Sequence, residues 1–147
     1  MKTLLEFIVR YVQVLYLNPA YRFTDSRTRG LADIDASVCI SSDQLRWEIA
    51  NDRGQIGITV TPLRYANDEN WFWLSLIRQY LDGGSDTEQG SSLDLAGWLT
   101  QNLVRVEALF ADEATAPDVC AKLVALRRSN SYKNWGWPKP GPDDIDP

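Results

Sequence analysis

Asp33-Ile34-Asp35 puts two carboxylates on one short stretch, a spacing that can hold Mg²⁺ or divide acid and base work, and Cys39, Arg46 and Glu48 follow soon after. A nucleophilic thiol at Cys39 needs a lowered pKa. Arg46 is a cation able to help, but no proton acceptor accompanies it. The chain contains no histidine, which removes the commonest general base, the usual partner in Ser and Cys dyads, and the commonest metal ligand. Gly83-Gly84 opens an acidic stretch that repels phosphate, and no Gly-Lys-Ser/Thr run follows. Asp33 and Asp35 therefore read as solvated loop acids or a turn cap. Arg46 and Glu48, two apart on one strand face, read as an exposed pair able to form a salt bridge or to contact a ligand. No catalytic residue, metal or cofactor is expected.

A second set of charges is more suggestive. Asp82, Asp86, Glu88 and Asp94 lie in and around the Gly/Ser-rich run 83–92, which has no basic residue. Carboxylates on such a loop can meet the Lys and Arg side chains of a protein partner, a complementarity that mainly speeds and orients association. The chain has 6 tryptophans, a residue enriched at binding hot spots. Trp135 and Trp137 read as the exposed pair, Trp47 and Trp73 as core. A net charge of −5 argues against non-specific binding to nucleic acid or to an anionic membrane.

The elements that must position these groups follow from hydrophobic period. Residues 36–61 alternate so that Val38, Ile40, Leu45, Trp47, Ile49, Ile56, Ile58 and Val60 share one face of an antiparallel meander, with Ser37, Cys39, Arg46, Glu48, Gly57 and Thr59 on the other. Four-residue turns at 41–44 and 51–54 predict the pairs Val38–Trp47, Ile40–Leu45, Ile49–Ile56, Trp47–Ile58 and Leu45–Val60. Residues 20–24 read as a short strand with Tyr21 and Phe23 on one face, and 25–35 as a connecting loop.

Helices are expected over residues 2–17, from Asn67 or Asp68 to about Leu81, from Ser91 or Ser92 to about Ala111, and from Thr115 onward with Arg127-Arg128 at its C-terminal end. The first buries Leu4, Ile8, Val12 and Leu15, widened by Leu5, Val9 and Tyr16. The second turns Trp73, Leu74, Ile77 and Leu81 inward and leaves Trp71, Phe72 and Tyr80 on its flanks. The expected fold is α+β: a three- to four-stranded antiparallel meander with one face covered by about four helices, in the order α-(β)-βββ-ααα. It forms one domain over 1–134, followed by a Pro/Gly-rich extended tail, 135–147.

Glu6 and Arg10 interrupt the N-terminal apolar run, and no small-residue cleavage site follows, so the run reads as a helix of the domain rather than a signal peptide. Cys39 and Cys120 read as reduced thiols of a cytoplasmic protein.

An amphipathic first helix, the meander LRWEIANDRGQIGITV and the helix WFWLSLIRQYLDG together resemble the immunity proteins of bacterial polymorphic and contact-dependent toxin systems. The resemblance is one of architecture over about residues 1–135, and it assigns no site residue. It implies a cytoplasmic, non-enzymatic antidote that binds a basic toxin domain and occludes its active site. Two other functions fit the residues: a small enzyme or ligand-binding domain using Asp33, Asp35, Arg46 and Glu48, and an adaptor subunit docking through a sheet edge or the Trp-rich tail.

Overall fold

The computed structural model describes residues 1–30, 35–85 and 90–135. Its sheet has five antiparallel strands in sequential order: β1 (Arg22–Thr28), β2 (Asp35–Ser41), β3 (Leu45–Asp52), β4 (Gln55–Pro62) and β5 (Phe72–Trp73). The helices are α1 (Lys2–Tyr11), α2 (Gln13–Tyr16), α3 (Leu74–Asp82), α4 (Ser92–Ala111) and α5 (Ala116–Trp135). The fold is α+β, a meander sheet covered by helices, as the alternation predicts.

One face of the sheet is core. Val38, Ile40, Leu45, Trp47, Ile49, Ile58 and Val60 are buried against Leu4, Phe7 and Ile8 of α1, Leu74 and Ile77 of α3, and Leu99, Leu103 and Val106 of α4. Leu123 and Val124 bring α5 onto the same cluster. Trp47, with no exposed surface, is the largest single contribution, and truncating such a side chain costs about 3–5 kcal/mol.

Both hairpin registers differ from expectation by two residues. Trp47 pairs with Ile40 and Val60, and Ile49 with Val38 and Ile58. The second turn contains only Arg53 and Gly54, both at positive φ, the two-residue geometry whose twist matches the flanking strands. The Asn51 side-chain carbonyl accepts from the Gly54 N–H at 2.9 Å. The first turn slides by one residue, to 42–45 beyond the pair Ser41–Arg46, and the second tightens to two residues; each change moves the partners by two, so every side chain keeps its expected face.

Other elements depart further. β1 runs through Thr28, and β2 begins at Asp35, so much of the expected 25–35 loop is strand. Tyr21 is buried but Phe23 is 55% exposed; the pairing slips between Phe23 and Asp25, and every residue of β1 is exposed. The first helix breaks at Val12, where φ −116° and ψ 30° leave the helical region; within α1 the buried stripe is Leu4, Phe7 and Ile8, whereas Leu5 and Val9 are exposed. At the other end, α5 does not stop at Arg127-Arg128 but continues to Trp135. Asn130 and Gln79 exchange two amide hydrogen bonds, at 2.7 and 3.3 Å, which hold its last turns against α3.

The start of α4 follows its sequence signal. Ser91 Oγ accepts from the Asp94 N–H at 3.3 Å, and Asp94 Oδ2 accepts from the Ser91 N–H at 3.1 Å, a reciprocal capping box that satisfies two otherwise orphan donors.

Candidate functional site

The uncovered face of the sheet is built from rows of side chains that the registers place side by side. One row runs Asp25, Cys39, Glu48, Thr59, Trp73; a neighbouring row holds Ser41, Arg46 and Thr61; a third holds Arg27, Ser37, Ala50 and Gly57. The middle strand of this region, β4, contributes only Gly57, Thr59 and Thr61, which are small. Trp71 and Trp73 rise on one side of it, and Arg46 and Glu48 stand on the other. The result is a concavity of ≈ 350 Å³ lined by these residues with Asn67.

Its tryptophan wall corrects the sequence reading most. Asn67 was expected to cap a helix; its side-chain oxygen instead accepts from the Glu69 and Asn70 N–H groups, each at 2.8 Å, closing a turn by the same local chemistry that makes Asn a capping residue. Asn70 donates to the Tyr65 carbonyl at 2.9 Å. The chain then enters β5 in extended form, so period two replaces period 3.6. Phe72 points into the core and is fully buried, whereas Trp73 is 46% exposed. Their expected roles are thus exchanged.

Trp71 and Trp73 meet edge to face, with centroids 6.2 Å apart and planes at 78°, a favoured aromatic arrangement. The Trp71 indole N–H donates to the Asp68 carbonyl at 3.0 Å. Arg127 of α5 locks the segment from behind: it donates to the Trp71 carbonyl at 2.5 Å and the Glu69 carbonyl at 2.6 Å. Its guanidinium carbon also sits 4.8 Å from the Trp71 ring centroid. Burial lowers its pKa, but an arginine stays charged throughout the ordinary pH range. From its sequence position Arg127 is only a helix-end cation; nothing local to residues 116–135 signals this further role, because the groups it holds lie more than fifty residues away.

Arg46 and Glu48 do lie together on the open face, but no salt bridge joins them. Asp35 does not join them. It pairs with Asp52, four residues along β2 from Cys39, the partner of Glu48, or about 13 Å along the strand. Asp33 lies outside the described residues. Cys39 is buried, and its thiol pKa is raised, first by burial and then by Glu48; that is opposite to what a nucleophile needs.

The acidic group divides. Asp82 closes α3, accepting from the Trp98 indole N–H at 2.7 Å and pairing with Arg105 at 2.9 Å; these bonds, Trp98 foremost, hold its carboxyl below the usual range. Asp94 serves the capping box, and the Ser91 bonds lower its pKa likewise. Both belong to the helical layer, across the sheet from Arg46 and Glu48. Asp86, Glu88 and Trp137 lie outside the described residues, and Trp135 is the last residue of α5.

A larger cleft of ≈ 670 Å³ lies between residues 65–70 and α5. Its charged groups are already engaged: Glu69 with Arg128, and Lys122 with Asp118. Among the described residues no cluster of His, Cys, Asp or Glu is suited to a metal ion, and no helix is long and apolar enough to cross a membrane. The chain matches no protein-family model, no curated protein and no solved structure.

Proposed function

We propose that the chain is a non-enzymatic protein-binding module that docks through the open face of its sheet, and that it acts as an immunity protein, occluding the active site of a cognate bacterial toxin. One observation carries the first step: two half-exposed tryptophans meet edge to face, Trp71 held by Arg127 and Trp73 packed on Trp71, beside the charged side chains of Arg46 and Glu48. Trp, Tyr and Arg dominate binding hot spots, and rigid aromatic anchors lose little conformational entropy on association. Between the two walls the floor is low, with the Trp73 ring lying over Gly57 and Thr59 and Thr61 beside it. The toxin assignment adds the resemblance in architecture and the net charge of −5, which favours encounter with a basic domain.

The test is co-expression with a toxic domain encoded beside this chain. Growth rescue, 1:1 binding by calorimetry, and loss of both on Trp71→Ala/Trp73→Ala support the reading. Rescue indifferent to that double substitution overturns the assigned surface, and a metabolic operon without any toxic neighbour overturns the toxin reading.

The concavity itself favours a second reading, a small-ligand site, since ≈ 350 Å³ falls at the low end of the range for ligand pockets. Saturable binding of a small polar metabolite that Glu48→Gln weakens, with no protein partner recovered, would select it.

A further inference from the structure

Arg46 and Glu48 carry opposite charges two residues apart on one strand face, about 7 Å from one another along the strand, and neither forms a salt bridge with a described residue. An extended polypeptide repeats its side chains on one face at the same interval, whereas a helix sends residues i and i+2 to different faces. The groove between this pair and the tryptophans is about two strand spacings wide, roughly 10 Å from β3 to β5, and the Trp73 ring leans into it over Gly57. A segment laid along β4 in extended form presents alternate side chains to the groove at the same interval as Arg46 and Glu48.

We propose that this groove receives one extended segment of the partner protein, bearing a basic and an acidic side chain two residues apart, the cation on Glu48 and the carboxylate on Arg46. An apolar or aromatic side chain of the same segment packs against Trp73. This rests on the protein-binding reading and specifies its occupant. The two charges fix the register and direction of the segment, while the tryptophans supply the buried area.

The alternative route for a strand, addition at the free edge of β1, is defended. That edge is charged and irregular, with Asp25 and Arg27 paired at 3.1 Å and the register broken at Thr24, features that discourage edge pairing.

A random twelve-residue peptide library displayed on phage, selected against the full chain, tests the proposal. Trp73→Ala and the double exchange Arg46→Glu/Glu48→Arg serve as parallel targets, each checked for native circular dichroism. Enriched peptides are expected to carry Lys or Arg and Asp or Glu at positions j and j+2. Their affinity should fall at least tenfold on Trp73→Ala, and the double exchange should select the opposite charge order. Like-charged or uncharged consensus sequences, spacing of three or four, an unchanged order on the exchanged target, or no enrichment overturns the proposal. Peptides that need Trp73 yet ignore the exchange overturn the charge register while leaving protein binding intact, and failed toxin rescue with the expected peptides removes only the toxin assignment.

Discussion

The Trp73 indole occupies the space that a side chain at Gly57 would need: a Cβ there would lie 2.5 Å from Trp73 Cζ3. Gly57 sits in β4 with no positive φ, so its backbone accepts any residue, and what the absent Cβ provides is room for the ring. Gly57→Ala must push the indole out of the groove. Because Trp73 is half in solvent, the fold tolerates this within about 1 kcal/mol, but tryptophan fluorescence should shift and partner affinity fall at least about tenfold. Parallel urea titrations and binding isotherms separate the two effects.

Arg127 should be needed for stability as well as for the site. Its two hydrogen bonds to backbone carbonyls and its stacking on Trp71 cannot be reproduced by an ammonium, which lacks the planar fork. Arg127→Lys and Arg127→Met are both expected to destabilise by about 2 kcal/mol, measured as a lowered urea midpoint with unchanged slope. A lysine variant as stable as wild type would show that charge alone suffices.

Much of this was legible in the sequence, and the failures have identifiable causes. Alternation from Val38 to Val60 determines which side chains face the core, and parity preserved those assignments when the partners in both hairpins moved by two residues. Exact pairing was not legible, because Asn51-Asp52-Arg53-Gly54 is compatible with a four-residue turn or with a two-residue turn using Arg53 at φ 54°. The tryptophan wall was hidden for a different reason. Trp71-Phe72-Trp73-Leu74 fits a helical stripe locally, and only pairing of Phe72 with Val60 and Trp73 with Thr59 makes it a strand edge. The position of Arg46 and Glu48 on the open side was legible because strand period alone places them there.

Acid should weaken the junction of α3 and α4. A carboxyl whose folded pKa is depressed adds stability above its unfolded value, about 3.9, and that contribution is lost as pH falls through the lower folded value. Asp82→Asn is expected to reduce stability at pH 7 by about 0.5–1 kcal/mol after allowance for solvent screening. Its urea midpoint should converge on that of wild type below about pH 4. A gap that persists unchanged in acid would mean that packing, not charge, explains the Trp98 and Arg105 contacts.

Neither cysteine should behave as a reactive thiol. Burial raises the pKa of Cys39 and of Cys120, and little of either thiol is exposed, Cys39 being screened by its neighbours on the sheet face and Cys120 lying in the core. Native protein is therefore expected to react with a disulfide reagent at pH 8 at least about tenfold more slowly than the unfolded chain. Rapid, stoichiometric labelling of Cys39 in the native state would reopen a chemical role for the sheet face.

Hydrogen exchange of the chain alone and bound to the protein partner proposed for it tests the central claim most directly. Slowed exchange concentrated at residues 46–48, 57–61 and 67–73 is the predicted footprint. Protection confined to α1 or to the junction of α3 and α4, with those segments unchanged, would contradict it.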